Sequence, residues 1–209
     1  MLTFIISYGF SDFYLDDNGD LIISQSFVRA SHKINQKMIT SEFSDESVQA
    51  IQPKHQKVEI TKKDGKWYIL RPPTPTLLGI NGDPLQALSK DRNDPNLTDP
   101  DGDGKPGVTV NIKIGKIIKG EIYITRREIF TYHLQLNNDG TLTGHVQDDS
   151  EQFVVGASMK ILNQPSNNFQ HPSKGMNPIL LVPVSEDIDT LEELMAIRDD
   201  LFPKEPDFF

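Results

Sequence analysis

The alternation of apolar and polar residues from Val108 to Ile114 constrains the fold more than any other feature of the chain. Valine or isoleucine occupies every second position of this segment, VTVNIKI. A period of two residues is that of a β-strand with one buried face. Similar segments follow at regular spacing, joined mostly by short turns that contain Gly or Asn, and this pattern predicts an antiparallel β-meander. The further predicted strands are residues 121–127, 130–137, 141–146, 153–162 and 179–184.

Two turns organise the first half of the chain. The sequence DNGD at residues 17–20 and the sequence KDGK at residues 63–66 each separate two apolar segments. Asn-Gly and Asp-Gly pairs in this position are typical of β-hairpins. We also expect strands at residues 2–8 and 37–43. Trp67, the sole tryptophan, is expected to pack in the core.

Two strands of the second half carry an apolar residue at every second position. A barrel or a sandwich buries such faces, and a length of 209 residues suits one domain. We therefore expect a single all-β domain over residues 1–209, a meander that closes as a lipocalin-like barrel, with a two-layer β-sandwich as the alternative. The expected inward faces are Phe130, Tyr132, Leu134 and Leu136 on one strand, and Phe153, Val155, Ala157, Met159 and Ile161 on the other.

One helix is predicted near the end of the chain, at residues 185–202. Ser185 suits the N-cap, acidic residues follow where the helix dipole favours negative charge, and Pro203 ends the segment. Residues 185–209 hold nine carboxylates and two basic side chains, so we expect the helix to pack on the meander with its acids near a basic patch. A solvated strand face and a site for an anionic ligand are the other interpretations of that patch. Its members are Lys113, Lys116, Lys119, Arg126 and Arg127.

An aspartate-rich loop at residues 89–107 crosses from the first half of the chain to the Val108 strand. Residues 91–103 hold five aspartates and one arginine, which gives a net charge of −4 (one minus five). Asp99, Asp101, Asp103 and Gly104 reproduce positions 1, 3, 5 and 6 of an EF-hand calcium loop. Position 12, where an EF-hand requires a bidentate glutamate, is Val110, so the segment is not an EF-hand. We expect a weak calcium site, with a solvated turn-rich loop as the alternative.

The loop resembles the D-x-D-x-D-G turns of thrombospondin type 3 repeats and dockerins, which recruit further calcium ligands from outside the turn. A longer segment, DGDGKPGVTV at residues 101–110 before a basic strand, resembles a group of uncharacterised exported bacterial proteins. That resemblance implies no particular activity. The predicted calcium ligands are Asp99, Asp101, Asp103, the carbonyl oxygen of Lys105, and Asp94 or one of its neighbours Asp91, Asn93 and Asn96.

Composition excludes several classes of function. A net charge of −9 argues against general binding to nucleic acid or to anionic membranes. The absence of cysteine excludes disulfides, thiolate metal sites and cysteine nucleophiles. No apolar run approaches the ~20 residues of a membrane-spanning helix, so an integral membrane protein is not expected. A weak calcium site favours an extracytoplasmic location. Residues 2–8 lack the flanks of a signal peptide, which we then expect upstream or already removed.

His133 and His145 flank the turn Asn138-Asp139-Gly140. A three-residue loop places the two histidines directly opposite each other, whereas a two-residue loop puts them out of register. Two histidines alone make a poor zinc site. Surface histidines are therefore the expected interpretation, and a metal role depends on the turn.

No recognisable catalytic motif is present: the chain lacks G-x-S-x-G, H-E-x-x-H, Walker and G-x-G-x-x-G sequences. We expect a non-enzymatic binding or cell-envelope-associated module with a calcium-stabilised loop, and the sequence identifies no partner. One alternative is a barrel that carries a small apolar ligand, which requires a cavity of ~300 Å³ or more. Another is a hydrolase or isomerase whose site is not visible in the sequence.

Overall fold

The computed structural model describes residues 2–43, 45–49, 51, 54–165 and 168–208. These residues form β-strands, three short α-helices and a 3-10 turn at Lys174–Met176. None of the helices within these ranges is long and apolar enough to cross a membrane. The helices are α1 (Asp45–Gln49), α2 (Leu191–Ala196) and α3 (Arg198–Leu201). The strands are β1 (Thr3–Leu15), β2 (Leu21–Ile34), β3 (Ile39–Phe43), β4 (Lys54–Lys57), β5 (Glu59–Lys63), β6 (Lys66–Arg71), β7 (Thr76–Leu78), β8 (Val108–Ile114), β9 (Ile118–Glu128), β10 (Phe130–Leu136), β11 (Leu142–Asp148), β12 (Glu151–Ala157) and β13 (Pro178–Leu181).

The strands form two antiparallel sheets. The larger sheet has eight strands in the order β1-β2-β3-β8-β9-β12, with β4 paired to β2 and β7 paired to β9. The smaller sheet has five strands in the order β13-β11-β10-β6-β5. Neither sheet closes into a barrel within the described ranges. The all-β prediction is confirmed, and the arrangement fits the two-layer alternative.

Both predicted hairpins of the first half are confirmed. β1 pairs with β2 from Leu15, which lies opposite Leu21. The side chain of Asp16 accepts hydrogen bonds from the backbone N–H of Asp20 (2.8 Å) and Asn18 (2.9 Å), so the connecting turn is held by local contacts. The β5-β6 turn at residues 64–65 has φ angles of 52° and 78°, as a type I′ hairpin turn requires.

The predicted single meander is wrong, because β8, β9 and β12 belong to the larger sheet and β10, β11 and β13 belong to the smaller one. A single residue, Ile129, joins β9 of the larger sheet to β10 of the smaller one. One residue is too short to reverse the chain into an antiparallel neighbour, for which two or more are needed. β11 likewise passes to β12 at a corner, where Asp149 N–H donates to the Ile129 carbonyl (3.0 Å) and Ile129 N–H donates to Ser150 Oγ (2.9 Å).

The inward face predicted for β10 is correct for Phe130, Tyr132 and Leu134 but wrong for Leu136, which is exposed, and the face predicted for the other strand is wrong. Tyr132, Leu134 and Leu142 form a buried cluster in the smaller sheet, as the β10 alternation predicts. In the larger sheet Val154 is buried in the core, which also contains Leu78, Val108, Val110 and Ile124.

The face predicted to begin at Phe153 fails because β12 does not continue as one regular strand. Its register shifts between Val154 and Gly156, and Val155 is buried as well as Val154. The strand ends at Ala157, so Met159 and Ile161 lie beyond it and are exposed. A residue inserted by a bulge displaces the alternation that the sequence pattern relies on.

Trp67 is exposed, so the core prediction for it is wrong. It lies at the turn end of the β5-β6 hairpin, where the ammonium group of Lys62 sits 4.9 Å from its ring centroid. The inward face of the smaller sheet is therefore covered along only part of its length.

The C-terminal helix begins later than predicted and packs elsewhere. Thr190, not Ser185, is the N-cap, and it forms a capping box with Glu193. The segment contains two helices, α2 and α3, rather than one. Leu194 packs with Tyr8 and Val28 of the β1-β2 hairpin, so the predicted docking on the second-half strands is wrong. Apolar contacts hold the segment on the hairpin, where Phe202 also packs edge-to-face against Tyr8 with ring centroids 5.8 Å apart.

Candidate metal site

The aspartate loop leaves the larger sheet after β7 and returns at β8, so its two ends lie together. Thr98 N–H donates to the Gly79 carbonyl (3.0 Å), and Gly107 N–H donates to the Thr98 carbonyl (2.7 Å). Gly107 has a φ of 87°, and a Cβ there would lie 2.5 Å from the carbonyl oxygen of Ile124. Only glycine permits this approach. The base of the loop is therefore held against β9.

Asp99 holds the tip of the loop. It accepts hydrogen bonds from the backbone N–H of Gly104 (2.8 Å) and Asp103 (3.1 Å). The Asp103 carboxylate accepts one from Lys105 N–H (2.8 Å) in the same way. The bond from Gly104 lowers the pKa of Asp99, because it stabilises the charged carboxylate. The local sequence thus builds a turn around an ionised side chain.

Asp101 connects this turn to two distant elements. Its Oδ2 accepts hydrogen bonds from Ser47 Oγ of α1 (2.9 Å) and from Thr109 N–H of β8 (2.8 Å). Thr109 Oγ1 also donates to Asp103 Oδ2 (2.6 Å). The other oxygen of Asp101, Oδ1, is buried and has no hydrogen-bond partner among the described residues. A buried acceptor without a partner costs free energy, so this oxygen is a favourable position for a cation.

Asp99, Asp101 and Asp103 are brought together at this point. One carboxylate oxygen from each lies within 4.8 Å of the other two. Two oxygens that bind one calcium ion at ~2.4 Å are at most ~4.8 Å apart, so the spacing is compatible with a shared ion. Within the described part of the chain, no basic side chain forms an ion pair with any of the three.

The other predicted ligands are placed differently. Asp94 lies outside the group, and its Oδ1 accepts hydrogen bonds from the backbone N–H (2.9 Å) and side-chain amide (3.0 Å) of Asn96. Asp91 similarly accepts a bond from Asn93 N–H (2.9 Å). These aspartates cap their own turns.

Ser47 was missed by the sequence argument. It precedes Asp101 by 54 residues, and the segment around it has no clear periodicity. Only the pairing of β3 with β8 brings α1 to the loop. No local sequence signal identifies such a contact.

The predicted basic patch is divided by carboxylates. Arg127 Nη1 lies 3.1 Å from Glu151 Oε2, and Arg126 Nε lies 3.3 Å from Glu128 Oε1. Arg127 therefore pairs with an acid of the neighbouring strand β12, and Arg126 pairs with an acid of its own strand β9, rather than with the C-terminal helix. Lys113 and Lys119 lie opposite each other in the β8-β9 register.

Comparisons with protein-family models, with curated proteins and with solved structures give no match. The function is therefore inferred from the geometry of the chain itself.

Proposed function

We propose that this protein is a non-enzymatic binding module of the cell envelope whose aspartate loop is stabilised by calcium. The observation that carries the proposal is the convergence of Asp99, Asp101 and Asp103, with the buried Oδ1 of Asp101 unpartnered in the described structure. A divalent cation offsets the repulsion among three carboxylates and supplies the missing partner.

The donor set favours calcium over other ions. All the donors are oxygens, whereas zinc and copper prefer nitrogen or sulfur. Calcium accepts six to eight oxygens in variable geometry, while magnesium demands near-ideal octahedral geometry. The carbonyl oxygen of Lys105 and water molecules would complete the coordination. Asp94 would have to open its own turn with Asn96 to join, so water is the better ligand.

The proposed ion has a structural role. Asp101 bonds both Ser47 of α1 and Thr109 of β8, so an ion at Asp101 would brace the loop against helix α1 and against strand β8 of the larger sheet. Without a bidentate glutamate the affinity should be on the order of 10⁻⁴ to 10⁻³ M, the range of extracellular modules. Such a site fills outside the cell, which supports an extracytoplasmic location and agrees with the resemblance to exported proteins.

The carrier and enzyme alternatives receive less support. A pocket of about 310 Å³ lies between β2 and the segment before α2, but it is an open surface groove with Gln49 and Asp189 in its lining. The cavity lined by Phe130 has a volume of about 30 Å³, and Arg71 and Glu128 also line it. This size and polarity suit one or two water molecules rather than an apolar ligand. Burial accounts for the raised pKa values of Glu128 and Tyr132 near this cavity.

Thermal unfolding with and without calcium tests the proposal. The melting temperature of the native chain should rise from EDTA to ~10 mM calcium, since at ten times the dissociation constant binding adds about 1.4 kcal/mol to the free energy of unfolding. Asp101→Asn should abolish this rise, because it removes the central charge while keeping an acceptor for Ser47 and Thr109.

Asp94→Asn is the matched control, because it removes one charge from the same loop outside the three-aspartate group. It should retain the calcium-dependent rise. No rise in the native chain, or an equal rise in Asp101→Asn, would refute the site. A larger rise with ~10 mM magnesium than with calcium would refute the choice of ion.

A further inference from the structure

The cross-strand histidine pair has the register on which a shared site depends. Asn137 N–H donates to the Thr141 carbonyl (2.9 Å), so a three-residue loop closes β10 and β11. His133 and His145 therefore lie directly opposite each other. Their rings are stacked, with centroids 4.6 Å apart and planes 6° from parallel. The condition left open by the sequence, direct opposition on one face, is met.

The surroundings leave the ring nitrogens free. Leu70 of β6 lies beside His133 and Pro178 of β13 lies beside His145 in the strand register. Neither imidazole forms a hydrogen bond within the described ranges of the chain. A neutral imidazole has a free lone pair, which is the form that binds metals.

We propose that His133 and His145 together bind a divalent transition-metal ion. Imidazole is a good ligand for Cu²⁺, Zn²⁺ and Ni²⁺, and among these the affinity is highest for Cu²⁺. Metal–nitrogen bonds of ~2.0–2.1 Å require the two ligand nitrogens to lie within ~4 Å of each other. The Cβ atoms of directly opposed residues are ~4.5–5.5 Å apart, so ring rotation is sufficient to bring the nitrogens there. Water or an external ligand fills the remaining positions, since the pair supplies only two.

This site is independent of the calcium proposal. The ligands are nitrogens rather than carboxylate oxygens, and they belong to the smaller sheet, whereas the aspartate loop belongs to the larger one. Removing the charge of Asp101 should therefore leave metal binding by the histidines unchanged.

Calorimetric titration of the full chain with Cu²⁺ in a non-coordinating buffer at neutral pH tests the proposal. His145→Phe keeps a stacked aromatic ring but removes both nitrogens, and His133→Phe is its counterpart. Each should weaken Cu²⁺ binding by about tenfold or more, at least the loss seen when a residue that merely supports a ligand is removed. Electron paramagnetic resonance of the native complex should show two coordinated nitrogens.

Two controls make the outcome decisive. His171→Ala, which removes an exposed histidine elsewhere, and Asp101→Asn should both leave the high-affinity binding unchanged. In the native chain, Zn²⁺ should shift the imidazole NMR signals of His133 and His145 before those of the other three histidines, a measurement that needs no variant. Unchanged affinity in both phenylalanine variants, an equal loss in His171→Ala, or no early shift of these two signals would overturn the proposal.

Discussion

Strand β9 passes through two different environments on a single face. Ile124 is buried with Val108, Val110 and Val154 in an apolar cluster. Four residues further along, on the same face by strand alternation, Glu128 lies among charged groups. The first environment is stabilised by apolar burial, which depends on shape and volume. The second depends on each charge having its counterpart.

The charged groups around Glu128, which we call the charged junction, connect the two sheets. Arg71 stacks over the ring of Tyr132, with its guanidinium carbon 4.7 Å from the ring centroid, and its Nη1 donates to the Phe130 carbonyl (3.0 Å). The Tyr132 hydroxyl donates to Gln25 of the larger sheet (2.6 Å). Burial raises the pKa of Glu128 and raises that of Tyr132 to about 12. The junction is therefore polar, buried and sensitive to the loss of one member.

Part of the basic patch predicted from the sequence lies in the interior of the protein. The side chains of Arg126 and Glu128 are only 13% and 14% exposed, and their ion pair spans 3.3 Å. This contact lacks hydrogen-bond geometry, since Arg126 Nε has no hydrogen-bond partner among the described residues. The pair is held by charge rather than by a well-formed hydrogen bond.

The largest effect is expected from removing one charge of this pair. Arg126→Met should lower the free energy of unfolding by about 3–5 kcal/mol, because it leaves the buried Glu128 without its nearest cation. The double variant Arg126→Met with Glu128→Leu should be more stable than the single one, because no uncompensated charge remains. Urea denaturation measures both. A double variant that is less stable than Arg126→Met would show that the junction is not governed by charge compensation.

In the apolar cluster, Ile124→Ala should cost about 3 kcal/mol through lost burial and a residual cavity. This cost should not change with salt, unlike effects at the charged junction. Ile117→Ala is the matched control, because the same change at a 92% exposed side chain should shift stability by less than about 0.5 kcal/mol. A similar loss at both positions in urea denaturation would contradict the assignment of Ile124 to the core.

The charged junction should also give stability a pH dependence that the apolar cluster lacks. Burial and then Arg126 lower the pKa of His32 from 6.5 to about 4. Between these values the unfolded chain binds a proton that the folded chain does not, so stability falls as pH falls from about 6.5 to about 4. At ~1.4 kcal/mol per unit of pH, the free energy of unfolding falls by at most about 3 kcal/mol.

His32→Phe isolates this effect, because it keeps a ring against Phe43 and cannot titrate. The raised pKa of Glu128 acts in the opposite direction, but it is present in both proteins and largely cancels in their difference. Denaturation curves between pH 4 and pH 7, the range spanned by the His32 shift, should show the native chain losing stability relative to the variant on acidification. Parallel pH profiles would contradict the buried neutral state of His32.

The smallest effect is expected at Thr125, the residue beside Ile124 on the opposite face of β9. Its side chain is fully buried, and its Oγ1 has no hydrogen-bond partner among the described residues. Thr125→Val keeps the shape and removes the unpaired hydroxyl, so it should stabilise the protein by about 1 kcal/mol. The measurement is the melting temperature, and a decrease would indicate that the hydroxyl has a partner such as water.

Elements whose determinants lie within a few residues were predicted from the sequence. The β8 alternation, both hairpins of the first half and the possible opposition of His133 and His145 depend on turn residues and on a period of two. Most failed predictions concern distant determinants, but one concerns a local signal. The helix start at Thr190 was overlooked because Ser185 offered an earlier N-cap. The sequence TLEE at residues 190–193 nevertheless contains the threonine and the glutamate of the capping box. Arg126 was expected to lie near the acids of the C-terminal helix, or on a solvated strand face, since nothing near it in the sequence indicates burial.

The sequence alone determined the turn at Asp99, because its hydrogen bonds to Asp103 and Gly104 span at most five residues. Tertiary structure decided which oxygens of that turn are satisfied, since Ser47 reaches Asp101 only after β3 has paired with β8. It also decided that β9 and β10 belong to different sheets. The physical reason is range: a side chain that bonds its own turn finds its partner in any fold, whereas strand pairing and burial depend on which distant surfaces pack together.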